Sequence, residues 1–185
     1  MDTRSEIIRI GDDLLRERGY NAFSFSDISQ RLHIKNASVH YHFPTKTSLG
    51  LAIIAKYEQQ FRQLRQEMAC RAPLEKLDAF LNVYTTAQKE NKICLVGALA
   101  TDLYTVDPQM QQALKRIVRQ ILGWLMLILK EGKAEGVFVF RAPVRTKALL
   151  VITNMIAALQ LTRLTGQKDF REIKKTISND LTNNK

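Results

Sequence analysis

The segment from Ser24 to Leu49 constrains the fold of this chain more than any other stretch of its sequence. Apolar residues recur at helical spacing on both sides of a three-residue break, and a proline follows the second run. This pattern predicts two helices of about seven residues around a tight turn, with a long third helix beyond the proline. The segment therefore has the organisation of a helix-turn-helix unit.

The second short helix of this unit has two different sides. At about 100° per residue, Val39 and Phe43 fall close together on the helix surface. Ala37, Ser38 and Tyr41 point the opposite way. We expect the first side to be buried against the preceding helix, which leaves the second side available to enter the major groove of DNA.

The ends of the neighbouring helices carry capping residues. Ser26 is predicted to cap the first short helix, and Thr45 is predicted to cap a long helix that runs to about Cys70. Lys46 falls in the first turn of that long helix, where the helix dipole opposes a positive charge. A DNA phosphate held by Lys46 and the backbone N–H groups at this helix start would remove the conflict.

The remainder of the chain has the composition of a helical protein. Its 185 residues include only 8 Gly and 4 Pro, and apolar residues recur every three or four positions. The sequence therefore predicts an all-α fold. We expect a DNA-binding domain over residues 1–46 and a second helical domain over residues 47–185, joined by the long helix.

Charge and cysteine content limit the protein class. The net charge is +10, but residues 1–46 hold seven basic and six acidic side chains, so basicity alone does not identify the DNA-binding end. Two cysteines and no apolar leader in the first 20 residues favour the cytoplasm. The longest unbroken apolar run, Ile121–Leu129, is shorter than the roughly 20 residues of a membrane span, so no membrane partner is expected.

Metal and catalytic chemistry have little support in the sequence. His33, His40 and His42 do not converge on one helix face, and no Cys or Glu joins them at ligand spacing. We expect no metal and no other cofactor. Without a nucleophile paired with a base, or a phosphate-binding loop, we also expect no enzymatic activity.

Seven features fall at the spacing of the N-terminal domain of the TetR/AcrR family of repressors, which the chain resembles over about residues 5–53: Gly19-Tyr20, Asp27-Ile28, Ser38, Val39, His42-Phe43, Lys46 and Leu49. The chain departs from the family pattern at several positions. His33 replaces the glycine of the turn, and His40 replaces the usual tyrosine, with Tyr41 beside it. Phe23, Lys35 and Ala37 also stand where the family has Thr, Ser and Gly.

The resemblance implies a dimeric transcriptional regulator, a repressor that binds a palindromic operator in double-stranded DNA. Tyr41 and Lys46 are then expected to contact phosphates, and Ala37 to allow close approach to the groove. The candidates for contacts with base edges are Lys35, Asn36, Ser38 and His40. Ser26 is included in the same DNA-binding surface.

The resemblance also implies an effector pocket and a dimer interface in the helical C-terminal domain. The effector would be a small molecule or a chemical stress, and the candidate pocket residues are Phe80, Tyr84, Cys94, Trp124 and Asn154. The candidate interface residues are Leu149, Ile152, Met155, Ile156 and Leu159. Core packing is the alternative for the aromatic residues, and Asn154 has a second possible partner in its own twin across the dimer axis.

Two other functions stay open at this point. Cys94 lies near Lys89 and Lys92, whose charges would lower the pKa of its thiol, so a redox- or electrophile-sensing regulator is one alternative. A helical adaptor whose helix-turn-helix binds protein is the other.

Overall fold

A computed structural model describes residues 2–182, which form nine helices and no strand. The all-α prediction is confirmed. The helices are α1 (Thr3–Arg18), α2 (Phe25–Leu32), α3 (Asn36–His42), α4 (Lys46–Glu67), α5 (Pro73–Lys89), α6 (Leu95–Thr101), α7 (Pro108–Ala134), α8 (Val144–Thr165) and α9 (Gln167–Thr182).

The chain divides into two compact units. The first contains the chain up to Phe61 together with Leu95–Ile117, and the second contains Arg62–Cys94 together with the chain from Val118 onward. Helices α6 and the start of α7 thus pack with the N-terminal helices, although they follow them by many residues. The predicted functional boundary between residues 46 and 47 stays a prediction.

The core of the first unit forms where α1 meets α4. One stripe of α1 is buried, as its spacing predicts, and consists of Ile7, Ile8, Ile10, Leu14 and Leu15. Gly11 lies on the same side, and a Cβ there would lie 3.1 Å from Leu49 Cδ2 and 3.2 Å from Ile53 Cδ1. Glycine at this position therefore lets α4 approach α1 closely.

The helix ends confirm one of the two capping predictions and correct the other. Thr45 caps α4, since Ser48 N donates to Thr45 Oγ1 over 3.0 Å. Helix α2, however, is capped by Ser24 and not by Ser26. The Ser24 N–H donates to Asp27 Oδ2 over 2.7 Å, and the Asp27 N–H donates back to the Ser24 hydroxyl. This reciprocal pair satisfies two backbone groups, which Ser26, inside the first turn, cannot do.

The second unit is built from α5, α8, α9 and the last part of α7. Its largest fully buried side chains include Phe138, Phe170, Leu77 and Leu81. The Phe138 ring lies directly over Gly132 of α7, so that a Cβ added at Gly132 would overlap the ring. This close approach seats the segment after α7 against the helix.

The two glycines of α7 in this unit give a matched test of that packing. Gly132→Ala is expected to lower the free energy of unfolding by about 1–3 kcal/mol, because the ring or the backbone must move away. Gly123→Ala meets no atom within 4 Å. It should instead stabilise the protein by about 0.5–1 kcal/mol, the helix preference of alanine over glycine. Urea unfolding of both variants measures the difference, and equal values would contradict the packing.

Candidate nucleic-acid interface

Helices α2 and α3 pack through the side that the sequence predicted. Ile28 and Val39 are fully buried, and Phe43 is 2% exposed. The turn between the helices is closed by Ile34 N, which donates to Ser29 O over 3.0 Å. The helix-turn-helix prediction is confirmed.

The opposite side of α3 faces solvent. Tyr41 is 85% exposed. Ala37 and Asn36 are exposed beside it, Ser38 is half-buried, and Lys35 is the exposed residue at which the helix begins. The structure therefore brings these five predicted residues to one exposed helix. A contact of any one of them with DNA stays a prediction.

The two histidines of α3 have aromatic neighbours. The His40 ring lies edge-on to Phe25 of α2, with 4.8 Å between ring centres. His42 lies edge-on to Tyr41, with 5.2 Å between centres. His40 is exposed on its other edges, so its position is fixed by α2 while it remains able to meet a base. Within residues 2–182, no three His, Cys, Asp or Glu side chains are grouped as metal ligands.

Ser26 lies at the exposed start of α2, two residues after the true cap. Its hydroxyl oxygen accepts a hydrogen bond from Gln30 Nε2 over 3.4 Å. Its place in the DNA-binding surface stays a prediction.

Lys46, which the sequence predicted to bind a phosphate, contacts other residues of the chain. Its Nζ donates to the Phe23 carbonyl oxygen and lies 4.7 Å and 4.3 Å from the ring centres of Tyr20 and Phe23. Burial lowers the pKa of Lys46 below its ordinary value, and the charges of Asp102 and Asp27 partly offset this effect. Lys46 therefore has intramolecular partners that its sequence position did not suggest, and its contact with a phosphate stays a prediction.

Asp102, directly after α6, is a residue of this region that the sequence did not single out. Its Oδ2 accepts hydrogen bonds from Tyr20 N over 2.8 Å and from Asn21 N over 3.4 Å. Its Oδ1 accepts a third from Asn21 Nδ2 over 3.1 Å, and Thr105 Oγ1 accepts a fourth bond from the same amide over 2.7 Å. We call this arrangement the Asp102 latch. It holds the corner between α1 and α2, which in turn positions α3.

The predicted effector residues are brought together only in part. Phe80, Tyr84 and Trp124 form one buried cluster, with 5.7 Å between the first two ring centres and 6.1 Å between Phe80 and Trp124. Asn154, by contrast, is exposed on α8. Its place in the effector pocket stays a prediction, as does the alternative partner, its own twin across a dimer axis.

Cys94 is 7% exposed, at the start of the segment that leads into α6. Thiol sensing by Cys94 stays a prediction.

Helix α8 carries both core residues and exposed apolar residues. Met155 and Leu159 are buried because α8 packs against α5 and α9 of the same chain, and their place at a dimer interface stays a prediction. Ile152 and Ile156 are half-buried, and Leu149 is 41% exposed. Three further apolar residues of this helix are exposed: Leu150, Leu161 and Leu164.

By length and composition, α8 is also the one helix within residues 2–182 that could cross a membrane, although no unbroken apolar run suggested it. Only 33% of its most apolar window is buried. Core helices of soluble proteins meet the same criterion, so composition alone does not indicate a membrane.

The N-terminal and the C-terminal parts of the chain each match a known protein-family model. Residues 7–53 match the family model described as "Bacterial regulatory proteins, tetR family". Residues 73–175 match the model described as "Tetracyclin repressor-like, C-terminal domain", which covers more than half of the 185 residues.

Solved structures and a named relative agree with these matches. A TetR transcriptional regulator from Legionella pneumophila is similar with a TM-score of 0.86 and 29% identity, over 98% of both chains. A TetR family regulator from Agrobacterium tumefaciens is similar with a TM-score of 0.89 and 26% identity, over 97% of both chains. The transcriptional repressor NemR of Escherichia coli is 20% identical over 147 residues, which cover 75% of this chain and 73% of NemR.

The left-handed backbone of His33 leads to a stability prediction. His33 ends α2 with φ 53° and ψ 39°, a conformation that costs a residue other than glycine about 1 kcal/mol. His33→Gly should therefore raise the thermal midpoint of unfolding by about 2–4 °C in a chain of this size. Asn91→Gly is the control, since Asn91 has φ 52° but asparagine tolerates this conformation better. Calorimetry that finds an equal or larger gain at Asn91 would contradict the strain.

The Asp102 latch leads to a second prediction. Asp102→Ala should lower the free energy of unfolding by about 2 kcal/mol, because two backbone N–H groups and one amide lose a charged acceptor. Hydrogen exchange at the Tyr20 and Asn21 amides should accelerate more than exchange in α8, which lies outside the corner. Asp180→Ala, at an exposed aspartate of α9, is the matched control. Unchanged protection of the two amides in Asp102→Ala would show that the corner does not depend on the carboxylate.

Proposed function

Since the chain belongs to the tetR family of bacterial regulatory proteins and is a DNA-binding transcriptional regulator, we propose that it is a repressor. We also propose that it acts in the cytoplasm. It acts as a homodimer and leaves its operator when a small molecule binds to the C-terminal domain. The name of NemR, a repressor, supports the sign of the regulation. Regulation by binding needs no catalytic group, so we also propose that the chain is not an enzyme.

The observation that carries this proposal is the exposed side of α3 within a region that matches the family. Val39 and Phe43 fix the helix from below, so Ala37 and Tyr41 protrude together into solvent. Small Ala37 lets the helix approach the floor of the groove. Tyr41, which protrudes furthest, is assigned to the phosphate backbone.

The remaining polar residues of this surface are assigned by position. Lys35 and Asn36 lie at the N-terminal end of α3, the end that a recognition helix commonly directs at base edges. Ser38 and His40 follow on the same helix and are the further candidates for base contacts. Ser26 and Lys46, at the starts of α2 and α4, are assigned to the flanking phosphates; Lys46 must then leave the Phe23 carbonyl or reach past it.

The exposed apolar side of α8 supports the dimer. Leu149, Leu150 and Leu161 are each at least 41% exposed in the single chain. A second copy that covers them removes this apolar surface from water. A two-fold symmetric interface also places the two α3 helices on matching half-sites, which implies a palindromic operator. This interface accounts for the low burial of α8 without a membrane.

Release from DNA follows from population shift. The two α3 helices of a dimer bind well only when their spacing matches two successive half-sites. An effector that favours a different spacing weakens the operator complex by its differential affinity for the two states. No contact between effector and DNA is required.

Two exposed tyrosines of the first unit provide the test. Tyr41→Ala should weaken binding to DNA from upstream of the protein's own gene by about tenfold or more, the value of a hydrogen bond to a charged group. The slope of affinity against salt should change little, since tyrosine carries no charge. Tyr104, 95% exposed in the turn before α7, is the matched control, and Tyr104→Ala should bind as the unmodified protein does. Gel-shift titration over a range of salt measures both, and an absence of DNA binding at low salt would overturn the proposed function.

A further inference from the structure

The second unit contains an open groove that includes Trp124, the one candidate effector residue that lines it. Its volume is about 420 Å³, and it is bordered by the last turns of α4, the start of α5 and the last part of α7. We call it the cationic groove, and the residues that matter here are Arg62, Arg65, Lys76, Trp124, Ile128 and Glu131. Its size lies in the range of pockets that hold small molecules.

The charged groups of the groove are unequal in number. Arg62, Arg65 and Lys76 supply three positive charges, and Glu131 supplies one negative charge. Lys76 Nζ lies 2.7 Å from Glu131 Oε2, and the Lys76 side chain is only 12% exposed. This pair is close to neutral, and the two arginines are the other charged side chains that line the groove.

The two arginines are placed to act together. Arg62 and Arg65 are three residues apart on α4, a spacing that puts two side chains next to each other on one helix face. Guanidinium groups form paired, charge-assisted hydrogen bonds with carboxylates, which gives them a geometric preference for such anions.

The opposite wall of the groove is apolar. Trp124 is 7% exposed and Ile128 is 1% exposed, so both form a packed surface instead of projecting into solvent. Trp124 is further supported by the Phe80 ring, 6.1 Å away between ring centres. Leu127, 53% exposed, extends this surface towards the opening.

We propose that the cationic groove binds a small carboxylate with an apolar body, and that this anion is the effector. The carboxylate lies against Arg62 and Arg65, and the apolar body lies against Trp124 and Ile128. The groove is too small for a folded partner, and its charge selects against cations. The role as effector rests on the proposed function, whereas the binding site itself does not.

The position of the arginines suggests how such an anion would act on DNA binding. Helix α4 is continuous from Lys46 to Glu67. Its first residue lies against Tyr20 and Phe23 in the first unit, and its last turns carry Arg62 and Arg65. An anion that draws the two arginines towards α7 therefore acts on the helix that begins at the helix-turn-helix unit.

Trp124 is the only tryptophan of the chain, so its fluorescence reports on this groove directly and without DNA. The full-length protein is titrated with benzoate and hexanoate, with benzamide and hexanamide as neutral counterparts, and with benzylamine as a cation. At least one carboxylate should change the fluorescence in a saturable way below about 1 mM. Its neutral counterpart should bind at least about tenfold more weakly, since a charge-assisted hydrogen bond is lost. The affinities of benzoate and hexanoate show whether the groove prefers an aromatic or an aliphatic apolar group.

Variants test whether the arginines are responsible. Arg62→Gln and Arg65→Gln should each weaken carboxylate binding by about tenfold. Arg171→Gln, at an exposed arginine of α9 outside the groove, should have no effect. Equal affinity for carboxylate and amide, unchanged affinity in both groove variants, or no saturable response to either carboxylate would overturn the proposed site.

The same samples separate this inference from the proposed function. If carboxylates bind at the groove but the protein shows no affinity for its upstream DNA, the site stands and the regulatory role falls. If DNA binding is normal and no carboxylate is bound, the groove proposal alone falls. Bound carboxylate that leaves operator affinity unchanged would overturn the role as effector.

Discussion

Hydrogen bonds to one carboxylate, that of Asp102, tie the corner between α1 and α2 to the end of α6. Tyr20 and Asn21, at the corner between α1 and α2, both donate their backbone N–H groups to it. The same corner supplies the Tyr20 ring over which the Lys46 ammonium lies. Because backbone groups cannot move without their helices, the carboxylate holds the corner between α1 and α2 against the end of α6.

The recognition surface depends on that arrangement more than on its own helix. Helix α3 has seven residues, and a helix this short does not persist in water without tertiary packing. Ile28 and Val39 supply the packing, and Phe43 closes it where the helix ends. The polar side of α3 is thus held in place by residues that never reach DNA, which is why Ala37 and Tyr41 are presented together.

Helix α4 connects the two chemical environments that the function requires. Its first turn is occupied by Lys46, whose charge is balanced by aromatic faces and a carbonyl oxygen. Its last turns carry the two arginines of the cationic groove. In the proposed mechanism, a ligand at the groove acts through α4, whose backbone hydrogen bonds run along the whole helix.

The sequence by itself determined the helices and the helix-turn-helix unit, because helical periodicity and capping are local. It predicted the length of α3, the cap at Thr45 and the buried pair Val39 and Phe43. The pattern predicted Ser26 as the cap of α2, whereas Ser24 is the cap in the structure. Both serines have a polar residue three positions later, so the local sequence fits either one as the cap.

Only the tertiary structure decided which partners distant residues find. Asp102 lies 82 residues from Tyr20 along the chain, so no local pattern could join them, and Lys46 gained its aromatic partners in the same way. On α8, apolar residues surround the helix, and burial depends on what packs beside it. The contacts with α5 and α9 placed Met155 and Leu159 in the core and left Leu161 outside. These contacts and burials depend on long-range packing, which the periodicity of the sequence does not encode.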